Sequence, residues 1–206
     1  MGRILKILGI VILILLAVFS LRFILGGPED DWVCSGGKWV KHGNPSASKP
    51  ERPCGEKEVT NFSECLAAGN PIMESYPRQC RAGGETFAED VGNELEKMDL
   101  IRIDSPRPNQ VVKSPLSITG QARGNWFFEA SFPVFLVDWD GLIIAQGIAA
   151  TKDGADWMME NFVPFTATLE FSKPTYKNNG ALILKKDNPS GLPENDDALE
   201  IPVFFE

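Results

Sequence analysis

The chain has 206 residues, with 20 lysines and arginines against 28 aspartates and glutamates, so its formal net charge is −8. This acidic balance argues against nucleic acid as a partner, because phosphates require basic patches on the protein. It also argues against adsorption of the folded surface to anionic lipids.

The most apolar segment is the first 27 residues. No charge interrupts residues 7–21, and the apolar stretch around them approaches the ~20 residues that a membrane-spanning helix needs. Two basic residues precede this stretch and three acidic residues follow it, so the positive-inside bias predicts a cytoplasmic N-terminus. The interpretation is a single-pass signal anchor in the cell membrane with residues 28–206 extracytoplasmic. A cleaved signal peptide is the alternative, and it would export the same residues.

All four cysteines, Cys34, Cys54, Cys65 and Cys80, precede the β-rich C-terminal half. An even number of cysteines outside a membrane anchor predicts a disulfide framework. Their spacing favours Cys34–Cys54 with Cys65–Cys80, and each bridge would contribute on the order of 3 kcal/mol by closing its loop. Zinc binding is the alternative for these thiols, but the chain has no C-x-x-C pair and its one histidine is His42.

Three segments separate the anchor from the C-terminal half. Residues 28–57 are rich in Gly, Pro and Ser and cannot build a core, so a disulfide must hold this loop together. Residues 58–90 predict a small α-β-β unit, in which Asn61 caps the helix and "PIMESY" and "ETFAE" form two strands with a Gly-Gly turn. Residues 91–98 predict a polar linker or a helical turn.

Residues 76–89, "YPRQCRAGGETFAE", resemble a segment of the Kazal-type protease inhibitors. The chain has too few cysteines for that family. The resemblance implies an alternative function for the protein, which is inhibition of exported proteases through this hairpin.

From residue 99 onward, short runs alternate between apolar and polar residues and are separated by Pro, Gly, Asn and Asp. In "VPFTATLEF", residues 163–171, apolar side chains share one face, which is the period of a half-buried strand. Similar runs, with those near 133–138, 142–150 and 181–186, give about seven strands and predict an antiparallel β-sandwich of immunoglobulin type. The predicted fold class is mainly β, with an N-terminal transmembrane helix and a small disulfide-stapled α-β-β unit before the sandwich.

Several motifs of this region occur together, namely Ser105-Pro106, "VVKSPLSITGQARG", Trp126-Phe127-Phe128-Glu129 and "FVPFTATLEF". With them, residues 99–206 resemble the immunoglobulin-like domain associated with bacterial spore germination proteins. The resemblance implies a β-sandwich module of exported, envelope-attached bacterial proteins. Residues 28–90 lie outside it.

The densest aromatic stretch is "RGNWFFEASFPVFLVD", residues 123–138. In one continuous strand, Trp126 and Phe128 would share the core face, whereas Phe127 and Glu129 would lie on the opposite face. Each aromatic residue on the core face would contribute on the order of 2–3 kcal/mol through its burial. The candidate binding surface consists of Phe127 and Glu129 on that opposite face, together with Asp138 and Asp140.

Acidic residues also cluster in the loop "KKDNPSGLPENDD", where Asp187, Asp196 and Asp197 are candidate calcium ligands. The EF-hand spacing is absent and such residues are ordinary turn formers, so no metal and no cofactor are predicted. Glu129 and Asp138 are the candidate carboxylate pair for glycoside cleavage. No Ser-His-Asp set, glycine-rich phosphate loop or H-E-x-x-H motif accompanies them, and the chain is predicted not to be an enzyme.

The predicted function is that of a membrane-anchored, extracytoplasmic binding or scaffold module of the bacterial cell envelope. Its N-terminal helix would contact the membrane, and its partner would be another envelope protein or a wall polymer.

Overall fold

The computed structural model describes residues 29–51, 53–55 and 58–206, together with Gly9, residues 12–14 and Ser20. Nearly all of the predicted anchor, residues 1–27, therefore lies outside the described residues. Among the described residues, no helix is both long and apolar enough to cross a membrane. The chain divides into two compact units, Met1–Glu58 and Val59–Glu206.

The first unit contains a β-hairpin of β1 (Asp31–Ser35) and β2 (Lys38–His42). Its two turn residues are glycines with φ of +59° and +75°, which is the conformation that a tight hairpin turn requires. None of the described residues of this unit is buried. The hairpin is instead tied to the following loop by the Cys34–Cys54 disulfide, as predicted.

The second unit begins with α1 (Phe62–Ala67) and a sheet of β3 (Ile72–Met73), β4 (Gln79–Ala82) and β5 (Glu85–Ala88). The predicted Cys65–Cys80 disulfide joins α1 to β4, and both cysteines are fully buried. Asn61 caps α1 as predicted, because its side chain accepts a hydrogen bond from the Glu64 backbone N at 2.9 Å.

The prediction of two strands in residues 58–90 was wrong, because three are present. The Gly-Gly turn joins β4 and β5, and β4 was missed. The sequence of β4, "QCRA", has no β-branched or aromatic residue, so local propensity does not mark it. Its pairing on both sides and its disulfide decide its conformation.

Residues 91–98 form a helical turn, α2 (Glu94–Lys97), that is packed against the following domain. Val91 and Glu94 are buried. The Asn93 amide donates to the Ala198 carbonyl at 2.9 Å and accepts from the Glu200 backbone N at 2.8 Å. These contacts make the segment an extension of the sandwich.

The sandwich is one hydrogen-bonded sheet of eight strands in the order β6-β8-β11-β10-β9-β12-β13-β7. The prediction of about seven strands missed β7, a two-residue strand that is too short to show alternation and that pairs in parallel with the end of β13. The strands are β6 (Ile101–Ser105), β7 (Val111–Val112), β8 (Leu116–Arg123), β9 (Ser131–Asp138), β10 (Ile143–Thr151), β11 (Phe162–Leu169), β12 (Asn179–Lys185) and β13 (Ala198–Phe205).

The sheet folds into two layers because β10 and β11 pair only at two positions at the end of β10. Strands β6, β8 and β11 form a three-strand layer, and β10, β9, β12, β13 and β7 form a five-strand layer. The layers meet across the core, where the Phe132 ring of β9 lies 4.9 Å from the Phe165 ring of β11, edge to face. Fully buried side chains from both layers fill this core, among them Trp126, Ile118, Leu136, Leu182 and Leu199.

Candidate functional site

The predicted placement of Phe127 and Phe128 was wrong. Phe127 is 4% exposed and belongs to the core, whereas Phe128 is 40% exposed. The stretch is not one strand, because β8 ends at Arg123 and a turn of 3-10 helix follows at Gly124–Trp126. The helical turn rotates Trp126 and Phe127 inward together, so the parity of a continuous strand does not apply.

Glu129 lies in a tight turn between Phe128 and Ser131. The backbones of those two residues exchange hydrogen bonds of 3.0 and 3.1 Å. Both central residues, Glu129 and Ala130, have positive φ, of 50° and 62°, which Asn and Gly adopt more readily. Glu129 is thus an exposed turn residue and shares no surface with the buried Phe127.

Asp138 and Asp140 lie at the other end of β9, in the hairpin that leads to β10. The Asp138 carboxylate accepts from the backbone N of Asp140 and of Leu142, each at 3.0 Å, and so holds the turn. Since eight residues of β9 separate this hairpin from Glu129, the two ends are roughly 25 Å apart. Glu129 and Asp138 therefore cannot act as a carboxylate pair, which needs at most about 10 Å.

Trp139 of the same hairpin forms an aromatic pair with Tyr176, from the connection between β11 and β12, that the sequence did not indicate. The Trp139 and Tyr176 rings lie 5.3 Å apart, and the Lys177 ammonium lies 4.0 Å from the centre of the Trp139 ring. Trp139 is 39% exposed and Tyr176 is 75% exposed.

Two of the three calcium candidates, Asp196 and Asp197, are engaged with other side chains. Asp196 accepts from the Asn188 amide at 2.9 Å, and Asp197 forms an ion pair with Lys97 at 2.5 Å. Asp187 donates its backbone N to the Trp126 carbonyl. Within the described part of the chain, no three His, Cys, Asp or Glu side chains are grouped as a metal site.

An ionic cluster around the buried Glu94 joins residues 58–90 to the sandwich. The Glu94 carboxylate, in a residue only 6% exposed, lies 2.6 Å from Nη1 of Arg107 and accepts from the Tyr76 hydroxyl. Burial raises the pKa of the Glu94 carboxyl, and Arg107 opposes that rise. A cavity of about 320 Å³ borders the cluster, with Leu95 and Met98 in its wall. Because the carboxylate is already bound, the cluster acts as a structural connection.

The outer faces of the two layers differ sharply in composition. On the three-strand layer the outward side chains are mainly polar, as expected for a solvated sheet face. Its large apolar residue, Phe162, is flanked by the guanidinium groups of Arg102 and Arg123, at 4.2 and 4.6 Å from the ring centre. We call this the polar sheet face; its outward residues include Arg102, Asp104, Ser117, Thr119, Gln121, Thr166 and Thr168.

The outer face of the five-strand layer is apolar, and the cross-strand pairs place its side chains side by side. Phe135 of β9 is opposite Ile183 of β12, and Pro133 is opposite Ile148 of β10. Ile148 is 60% exposed. We call this surface the apolar sheet face; its outward residues are Val111, Ser131, Pro133, Phe135, Val137, Ile143, Gln146, Ile148, Ala150, Asn179, Ala181, Ile183, Lys185, Ala198, Glu200, Pro202 and Phe204.

A sequence signal for this face was available. In "PVFLV", residues 133–137, and "ALIL", residues 181–184, both parities are apolar, which is typical of strands covered on both faces. Parity in the sequence places Pro133, Phe135 and Val137 on the outward face, but the predicted binding surface did not include them.

Residues 100–191 match the family model of the immunoglobulin-like domain of bacterial spore germination. The match covers less than half of the chain and confirms the resemblance that the sequence motifs indicated. Neither the curated proteins nor the solved structures contain a significant match to the chain. Residues 100–191 of the sandwich are thus similar to an immunoglobulin-like module of the germination-associated type.

Proposed function

We propose that the chain is a membrane-anchored, extracytoplasmic binding module of the bacterial cell envelope, without enzymatic activity, that contacts a protein partner through its apolar sheet face. The observation that carries the proposal is the contrast between the two outer faces of one sandwich. The polar sheet face has the side chains of a sheet in water, whereas the apolar sheet face has those of a sheet covered by another surface.

The energetic argument rests on apolar area. Burial of a side chain the size of Ile or Phe contributes about 1.5–3 kcal/mol when the side chain is otherwise fully exposed. Ile148 and Ile143 are 60% and 52% exposed, so each has a large part of that contribution still to gain from a partner. A flat apolar surface fits a protein better than a wall polysaccharide, whose hydroxyl groups need polar partners.

The non-enzymatic part of the proposal is supported by the state of the nucleophiles. All four cysteines are held in the two disulfides, so the chain offers no thiolate. The single histidine, His42, is exposed and lies in the first unit. The apolar N-terminal segment and the disulfides support export and anchoring, because disulfides persist in oxidising compartments.

The proposal is tested by capture from native membranes. The full chain, tagged, is expressed as wild type, as Ile148→Glu and as the matched control Thr166→Glu on the polar sheet face. We expect a protein partner to be retained by wild type and by Thr166→Glu and lost from Ile148→Glu, because a buried, unpaired carboxylate is strongly unfavourable. Equal retention by both variants would rule out the apolar sheet face as the contact, and no retained protein with any of them would remove the binding role.

A further inference from the structure

We infer that the partner of the apolar sheet face is a second copy of this chain, packed face to face. This inference rests on the proposed function, since it names the partner of the surface proposed there.

The charge of the face argues for self-association. The chain as a whole has a net charge of −8, so two copies repel each other over most of their surfaces. The charged residues among the outward residues of the apolar sheet face are Lys185 and Glu200, whose formal charges sum to zero. The Lys185 ammonium also lies 3.7 Å from the Asp196 carboxylate. Recognition of a partner by charge complementarity would require a net charge on this surface. A neutral face permits contact between two identical acidic molecules without juxtaposing like charges.

The shape and size of the face also suit a second copy. Two sheets pack with their strands within about 30° of each other and about 10 Å apart, so a sheet face is a natural complement to an identical face. The four long strands of this layer, with seven to nine residues each, are spaced by about 4.8 Å and rise about 3.4 Å per residue, so they cover roughly 19 by 25 Å, or about 480 Å² per copy in projection. Two copies then bury about 1,000 Å², which is the lower limit for a specific interface.

The position of the central strands distinguishes face packing from edge packing. Strands β9 and β12 lie inside the five-strand layer, with strands on both sides. Phe135 and Ile183 are therefore at the middle of the face and would approach a second copy only if the faces stack. Strand β10 pairs with β11 only at Ala150 and Thr151, and association along its open edge would leave Phe135 and Ile183 far from the other copy.

Cysteine cross-linking in membranes tests the inference with the full chain. Because every native cysteine is in a disulfide, one introduced cysteine is the only free thiol. Phe135→Cys and Ile183→Cys report on the apolar sheet face, and Thr119→Cys and Thr166→Cys are matched controls on the polar sheet face. A bis-maleimide that spans about 10 Å, the separation of packed sheets, is added to intact membranes.

We expect a product of twice the chain mass from Phe135→Cys or Ile183→Cys and none from the two controls. Adding Ile148→Glu to the Ile183→Cys variant should lower the cross-linked fraction at least about tenfold, because the carboxylate would be buried without a partner. A monomer as the sole product at both apolar positions, with thiols that react with a monofunctional maleimide, would overturn the inference. So would equal dimer formation at Thr166→Cys.

Two further results separate this inference from the proposed function. A cross-linked product that contains a different protein overturns self-association and leaves the binding role of the apolar sheet face intact. Loss of both the cross-link and the captured partner overturns both.

Discussion

The ion pair between the buried Glu94 and the partly exposed Arg107 allows a quantitative prediction about the connection of residues 58–90 to the sandwich. The substitution Arg107→Ala removes contacts of 2.6 Å to Oε1 and 3.1 Å to Oε2 of Glu94 and leaves that carboxylate with Tyr76 alone. Removing one partner of a buried pair costs about 3–5 kcal/mol. Since the Arg107 side chain is 46% exposed, water replaces part of the interaction, and we expect a loss of about 2 kcal/mol.

A loss of about 2 kcal/mol lowers the midpoint of thermal unfolding by about 4–8 °C for a protein of this size. The assay is thermal unfolding of residues 28–206 followed by circular dichroism. The double variant Arg107→Ala, Glu94→Gln should recover part of the loss, because the amide needs no counter-charge. Arg81→Ala, an exposed arginine of β4, is the control and should leave the midpoint unchanged.

The same variant should be sensitive to pH. Burial raises the pKa of Glu94 in the folded protein above its usual value, and Arg107 is the group that lowers it, so Arg107→Ala raises it further. A group with a raised folded pKa contributes stability that is present below its unfolded pKa and is lost as the pH rises through its folded pKa. The deficit of Arg107→Ala should therefore be smaller near pH 4 than at pH 7. An equal deficit at both pH values, or a midpoint within 1–2 °C of wild type (about 0.5 kcal/mol), would refute this reasoning.

Three other predictions concern local elements. Asn93→Ala removes two hydrogen bonds to the backbone of β13, so it should lower the free energy of unfolding by about 1–3 kcal/mol. It should also speed amide hydrogen exchange at Glu200, and unchanged exchange there would contradict this prediction. Ala130→Gly should stabilise the protein by about 0.5–1 kcal/mol, because φ is 62° at this position. The control Ala88→Gly in β5 should destabilise the protein, and chemical denaturation of both variants checks the sign of each change. Residues 28–206 should not inhibit a panel of serine proteases at micromolar concentration; inhibition that disappears in Arg81→Ala would favour the inhibitor alternative for residues 76–89.

The points where prediction from the sequence failed have local physical causes. The stretch 124–130 contains a turn at Glu129 and Ala130, two residues that do not normally adopt positive φ, so nothing in the composition marks a turn there. The strands β4 and β7 are short and lack the alternation on which the prediction relied. For β4 and β7 a tertiary contact, either a disulfide or a pairing with a distant strand, outweighs local propensity.

The four residues of the candidate binding surface do not lie together. Asp138 and Asp140 lie in the hairpin that also carries Trp139. Phe127 belongs to the core, and Glu129 lies at the opposite end of β9. Alternation predicts which side chains of one continuous strand share a face, but this parity does not carry across the helical turn at Gly124–Trp126.

The sequence by itself determined the inward faces of the long strands, the disulfide pairing and the immunoglobulin-like class, because each depends on periodicity or spacing along the chain. Only the tertiary structure decided that the outward apolar residues form one surface. Val111 and Phe204 are distant in sequence and adjacent in the sheet, and Phe135 and Ile183 meet only because β12 returns beside β9. Strand order is set by long-range pairing and core packing, which no local pattern encodes, and that order assembles the apolar sheet face.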